Sequence, residues 1–130
     1  MKKIVFMIVA ILAIALPSEA KSKKGAEIKF KVETHDFGYI KENKGPVSYE
    51  FEFKNTGDEP LLVISARASC GCTRPEYPKH PIKPGHSDKI KVTYVPAGRP
   101  GAFEKMVTVK TNAKTTHVKI KGSVIPAVGK

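Results

Sequence analysis

The chain has 130 residues, with 23 Lys and Arg against 12 Asp and Glu, a formal charge of +11, and 41% hydrophobic residues. That length allows one domain rather than two, and the apolar content suffices for a small core and excludes global disorder. A complement of only two cysteines excludes a disulfide-built miniprotein.

In chain order the first element is an address. Lys2 and Lys3 form a basic head, Ile4 through Leu16 an uncharged apolar stretch, and Pro17-Ser18-Glu19-Ala20 a small-residue cleavage site. This is the three-part pattern of a signal peptide over residues 1–20, cut after Ala20. The apolar stretch falls short of the roughly 20 residues that a membrane span needs. No cysteine follows the cut, which argues against a lipid anchor. Residues 21–27 read as a flexible basic N-terminus and 28–125 as the folded domain. The expected location is the periplasm or outside the cell, with no membrane span in the mature chain and no nucleic-acid partner. No Asn-x-Ser/Thr site occurs, and the short Lys-Lys start looks bacterial.

The mature chain alternates with period two, the mark of half-buried strands. Ile28, Phe30 and Val32 alternate with Lys29 and Lys31. Val47, Tyr49, Phe51 and Phe53 alternate with Ser48, Glu50 and Glu52. Leu62, Ile64, Ala66 and Ala68 form the more apolar side of the next strand, and are expected to face the core. Ile90, Val92 and Tyr94, then Phe103, Val107 and Val109, then Val118, Ile120 and Val124 supply the later strands. Gly45-Pro46, Asn55-Thr56-Gly57-Asp58, Pro84-Gly85, Gly98-Arg99-Pro100-Gly101 and Asn112-Ala113-Lys114 are turn sequences. Helical spacing is absent after the signal peptide. The pattern predicts an all-β, Ig-like β-sandwich of about seven antiparallel strands. With neither a Trp nor a widely spaced Cys pair, packing alone must join its sheets.

Thr73 to Asp88 is long for a connection. Pro75, Pro78, Pro81 and Pro84 recur every third residue, the period of a polyproline II helix. They describe a stiff crossing between sheets or, alternatively, a docking ridge on which Tyr77, His80 and Lys83 share one edge and contact a partner.

Cys70-Gly71-Cys72, followed by Thr73, is the one chemically pointed motif. Three readings stand open. Two small thiols can pack as hydrophobes. A local disulfide can form if the chain bends, because extended Cα atoms two apart lie roughly 6.6 Å from each other, near the upper limit for a bridge. Gly71 permits that bend, including positive φ, and an oxidising compartment favours it. Two thiolates with His80 or His86 can hold Cu(I) or Zn(II), although neither histidine has a recognised ligand spacing.

No Gly-x-Ser-x-Gly, phosphate loop or His-Glu-x-x-His occurs. His35 and Asp36, adjacent on an extended chain, point to opposite faces and make a poor dyad. Lys29, Lys31, Lys89, Lys91, Lys119 and Lys121 occupy outward strand positions, where lysine discourages edge-to-edge aggregation. The alternative is a basic face for anionic glycans or surfaces.

Phe51-Glu-Phe-Lys-Asn-Thr-Gly57, Pro60-Leu-Leu-Val-Ile64, Ser69-Cys-Gly-Cys-Thr73, Pro81-Ile-Lys-Pro-Gly85 and Ile90-Lys-Val-Thr-Tyr94 follow in order. The series resembles a numbered bacterial domain-of-unknown-function family of exported proteins marked by Ser-Cys-Gly-Cys-Thr. It is also similar to Hydin-type and major-sperm-protein Ig-like domains. The resemblance implies an Ig-like sandwich that is an interaction module, without catalysis and without a cofactor. The expectation is an exported, monomeric, non-catalytic binding or structural module of the bacterial envelope, its partner an envelope protein or an anionic glycan or surface. The competing expectation is a redox-active or copper- or zinc-handling protein that uses Cys70 and Cys72.

Overall fold

A computed structural model describes residues 25–128; the expected signal peptide and residues 21–24 lie outside the described residues. Eight strands follow one another: β1 (Ile28–Phe30), β2 (Thr34–Lys41), β3 (Val47–Asn55), β4 (Val63–Ala68), β5 (Thr73–Glu76), β6 (Ser87–Tyr94), β7 (Gly101–Thr111) and β8 (Thr115–Ile125). One sheet has the order β1-β3-β6-β5 and the other β2-β8-β7-β4. Both flanks of the sandwich are therefore places where the chain changes sheets, from β1 to β2 on one side and from β4 to β5 on the other.

Alternation accounts for the core. Phe51 and Phe53 of β3, Ile90, Val92 and Tyr94 of β6, Phe103, Val107 and Val109 of β7, and Val118, Ile120 and Val124 of β8 are all buried. Each such side chain contributes about 1.5–3 kcal/mol relative to exposure. Tyr94 stacks on Phe103 across the two sheets, with ring centroids 3.9 Å apart, and Phe30 meets its registered partner Phe53 edge-on at 5.6 Å. Burial pushes the Tyr94 phenol above its ordinary pKa, opposed by the charge of Arg99.

Four expectations are corrected. The eight strands agree with the expected number of about seven, but β2 pairs with β8 in parallel rather than antiparallel, Thr34 opposite Lys119 and Ile40 opposite Val124. Only residues 31–33 separate β1 from β2, so the chain keeps its direction while it changes sheets. Val32 falls in that crossing and is 41% exposed, so the first inward row ends at Phe30. On β4 and the two residues before it the inward side chains are Leu61, Val63 and, as expected, Ala66, whereas Leu62 and Ile64 are 38% and 49% exposed. Val63 faces Thr111 and Ser65 faces Lys110. Ile64 is thus the extra residue of a β-bulge, which reverses the parity of the strand. Finally, the Thr73–Asp88 connection begins as a strand. Residues 73–76 pair with β6, and Ile82 is buried, exchanging backbone hydrogen bonds with Leu61 at 2.9 and 2.7 Å.

Asn55, read above only as part of a turn, is a buried hub. Its amide nitrogen donates to the carbonyls of Glu59 and Ile82 at 2.7 and 2.9 Å. Its amide oxygen accepts from the N–H groups of Gly57 at 2.9 Å and Glu27 at 3.3 Å. Its backbone N–H donates to His86 and its carbonyl accepts from Gly85. Gly57 has no alternative there, because a Cβ would collide with the Gly25 carbonyl oxygen. Residues 25–27, within the stretch expected to be flexible, are stitched to this turn by Thr56 N–H to Glu27 O and Asp58 N–H to Gly25 O.

Candidate functional site

Ser69–Cys72 carries the chain from the edge of one sheet to the edge of the other, between the end of β4 at Ala68 and the start of β5 at Thr73. The two cysteines stand at disulfide distance and are bridged, with Cα atoms 5.2 Å apart. The bend that brings them closer than an extended strand allows is held by local bonds. Cys72 N–H donates to Cys70 Sγ at 3.0 Å, and Thr73 N–H donates to the Cys70 carbonyl at 3.2 Å. Val95 N–H donates to the Cys72 carbonyl at 2.8 Å and anchors the corner on the end of β6. Positive φ plays no part at Gly71, which lies outside the left-handed region. A Cβ there would meet open space.

The two sulfurs differ. Cys72 is 3% exposed and belongs to the core, with Thr73 Oγ1 3.6 Å from its Sγ. Cys70 is half-buried and lines a shallow concavity together with Arg67, Ala68, Ser69, Gly71, Thr73, Arg74 and Pro75. No carboxylate lines that concavity, and both guanidinium side chains in it are exposed. Arg67 and Arg74 were not singled out from the sequence, yet a signal existed. The chain contains three arginines among its many lysines, and two of them bracket the cysteine pair.

The other sequence candidates lie apart from this corner. Tyr77 turns back onto the β4 edge, where its hydroxyl donates to the Ile64 carbonyl at 3.3 Å. Lys79 Nζ sits 4.5 Å from the Tyr77 ring centroid. His80 hydrogen-bonds Asp88 at 3.1 Å, and Lys83 is exposed beside the Pro84-Gly85 turn. His86 is exposed as well, and among the described residues no three His, Cys, Asp or Glu side chains come together as a metal site. His35 stacks on Tyr49 at 3.8 Å while Asp36 accepts from Gly38 N–H, so the two do not act as a pair.

The lysines of the first sheet stand in a lattice of mixed sign. Lys89 faces Glu52 and Lys91 faces Glu50 in register, and Lys31–Glu52 and Lys89–Glu50 approach to 3.6 Å. On the second sheet, Lys119 hydrogen-bonds Glu104 at 2.7 Å. That bond and its charge hold the Glu104 carboxyl below its ordinary pKa.

The family model described as a protein of unknown function, DUF1573, matches residues 28–124. No curated protein matches the chain. Among solved structures, a protein of unknown function from Porphyromonas gingivalis W83 superposes with a TM-score of 0.69 at 16% identity, covering 92% of this chain. This chain spans 54% of that protein's length. The ASH/PapD-like domain of human CEP192 gives 0.59 at 15% identity, covering 92% of this chain and 98% of that one. WR4, a C. elegans MSP family member, gives 0.52 at 12% identity, covering 77% and 97%. At such identities the likeness is one of fold, and the fold is the PapD-like and MSP-like Ig sandwich.

Proposed function

This chain belongs to the DUF1573 family of proteins of unknown function, and on that premise we propose that it is a non-catalytic Ig-like binding module exported to the bacterial envelope. The observation that carries this reading is the placement of its large apolar side chains. Most of those of both sheets fill the interior; among the exposed exceptions, which include Tyr39, Met106 and Ile125, Leu62 and Ile64 stand together at the edge strand β4, Leu62 just before it, with Tyr77 lying against the same edge. Edge strands of sandwiches bind extended segments by strand addition, with apolar side chains supplying selectivity. The reading takes a protein rather than an anionic glycan as the partner, because the ammonium groups of the first sheet are interleaved with carboxylates and form no uniform basic face there. Export rests on the basic head, apolar stretch and small-residue site within residues 1–20.

The test is a photo-crosslinking amino acid placed in cells at Ile64, with a control at Lys89 on the charged face. A discrete protein adduct in the envelope fraction from position 64 and not from 89 is expected. Equal labelling from both positions, or none from 64, overturns the reading. Mature protein sequenced from its N-terminus should begin at Lys21, and a chain beginning at Met1 removes the export.

A further inference from the structure

The Cys70–Cys72 corner has features that neither the fold nor strand addition at β4 requires. A core disulfide is shielded on all sides, whereas here one sulfur is buried and the other borders an open concavity. The glycine between them is exposed, has no left-handed φ and has room for a side chain, so packing does not select it. Two of the three arginines of the chain stand at the rim, with no carboxylate among the lining residues. Finally, Cys70 Sγ already accepts an N–H bond from Cys72 at 3.0 Å. That donor stabilises sulfur most when the sulfur is a thiolate.

We propose that the Cys70–Cys72 bridge is a thiol-exchange site, entered at Cys70 and selective for thiols carried on acidic molecules. An incoming thiolate, drawn by Arg67 and Arg74, attacks Cys70 Sγ. A bond forms between the two sulfurs and the Cys70–Cys72 bond breaks. Its electron pair leaves on Cys72 Sγ, toward which the Thr73 hydroxyl donates before a proton arrives from solvent. A second thiolate attacks the external sulfur of the mixed disulfide and releases Cys70 as a thiolate, held by the Cys72 N–H and the arginines. Two external thiols thus become one external disulfide, and two electrons and two protons pass to the protein. In reverse, Cys70 is the nucleophile and Cys72 the resolving thiol. The exchange is stoichiometric and does not rest on the binding role, since its reacting sulfurs lie in the corner beyond the end of β4 and not at Leu62 or Ile64.

The test uses the purified oxidised protein at low ionic strength. The probes are glutathione, an anionic thiol, and cysteamine, a cationic one, with alkylation quenching and intact mass as the readout. Bridge opening should rise in proportion to thiol concentration in folded protein. The preference for glutathione, each rate being corrected for thiolate fraction, should fall about 3- to 10-fold in the Arg67→Ala, Arg74→Ala variant, and added salt should shrink it likewise. In Cys72→Ser the remaining Cys70 should form a mixed disulfide with oxidised glutathione, while Cys72 in Cys70→Ser should react at least about 10-fold more slowly. Opening that is independent of thiol concentration, and so waits on unfolding, overturns the proposal. So does an unchanged preference in the arginine variant, or equal reactivity of the two single-cysteine variants. Both arginines are exposed, so their loss leaves the fold in place to be measured.

Discussion

Two corners of this sandwich are built around a glycine beside residues that bond to their own neighbourhood, and they work in opposite ways. At Asn55 the side chain is fully buried, satisfies four backbone groups from three segments, and sits near a glycine whose missing Cβ admits the backbone of residues 25–27. At Cys70–Cys72 the bonds are local, half of the site is open, and the glycine is not needed by packing. The first corner holds the fold together. The second is held by the fold, which leaves its chemistry free to be used for something else.

The comparison breaks most sharply at Asn55. Asn55→Ala takes the side-chain partner from the carbonyls of Glu59 and Ile82, the latter buried, and from two N–H groups, so urea unfolding should show a loss of about 3 kcal/mol, with an unchanged m-value. Gly57→Ala should follow at about 2 kcal/mol, because backbone of residues 25–27 must move away from the new methyl group. The double variant Cys70→Ser, Cys72→Ser should cost no more than about 2 kcal/mol in the same titration, since the bridge closes so short a loop that it restricts the unfolded chain little. Gly71→Ala should change stability by less than about 0.5 kcal/mol; a loss matching that of Gly57→Ala would erase the distinction between the corners.

The smallest effect concerns pH. The carboxyl of Glu104 titrates lower in the folded protein than in the unfolded chain because Lys119 bonds its charged form. Any stability from this pair is therefore present above the ordinary carboxylate pKa and is lost as pH falls through the lowered folded value. Glu104→Gln should flatten the acid limb of a melting-temperature profile slightly and leave the neutral plateau unchanged. The group is exposed, so the difference should be small and should vanish in high salt.

Legibility followed locality. Inward rows on β3, β6, β7 and β8 were readable because a period of two is a property of consecutive residues, and nothing in those strands interrupts it. β2 escaped because Gly38, at φ +72°, accompanies an irregularity that puts Ile40 in phase with the core after His35 and Phe37. At β4 the composition pointed to the right side for Ala66 and Ala68 but to the wrong side for Leu62 and Ile64, since Ile64 is inserted as a bulge and no feature of the apolar pattern marks it. The cysteine pair could be named as a site, but its extended spacing left free thiols and a bridge almost equally feasible.

By itself, then, the amino-acid order determined the class of the fold, the composition of its dry interior, the positions of most turns, and the residues on which chemistry could occur. Only the tertiary structure decided that β2 runs parallel to β8, that Asn55 gathers Glu27, Glu59 and Ile82, and that Cys70 is open while Cys72 is not. The physical reason is that alternation and turn propensity act over a few neighbouring residues. Burial, register between strands and the asymmetry of two sulfurs depend on which distant segments arrive beside them.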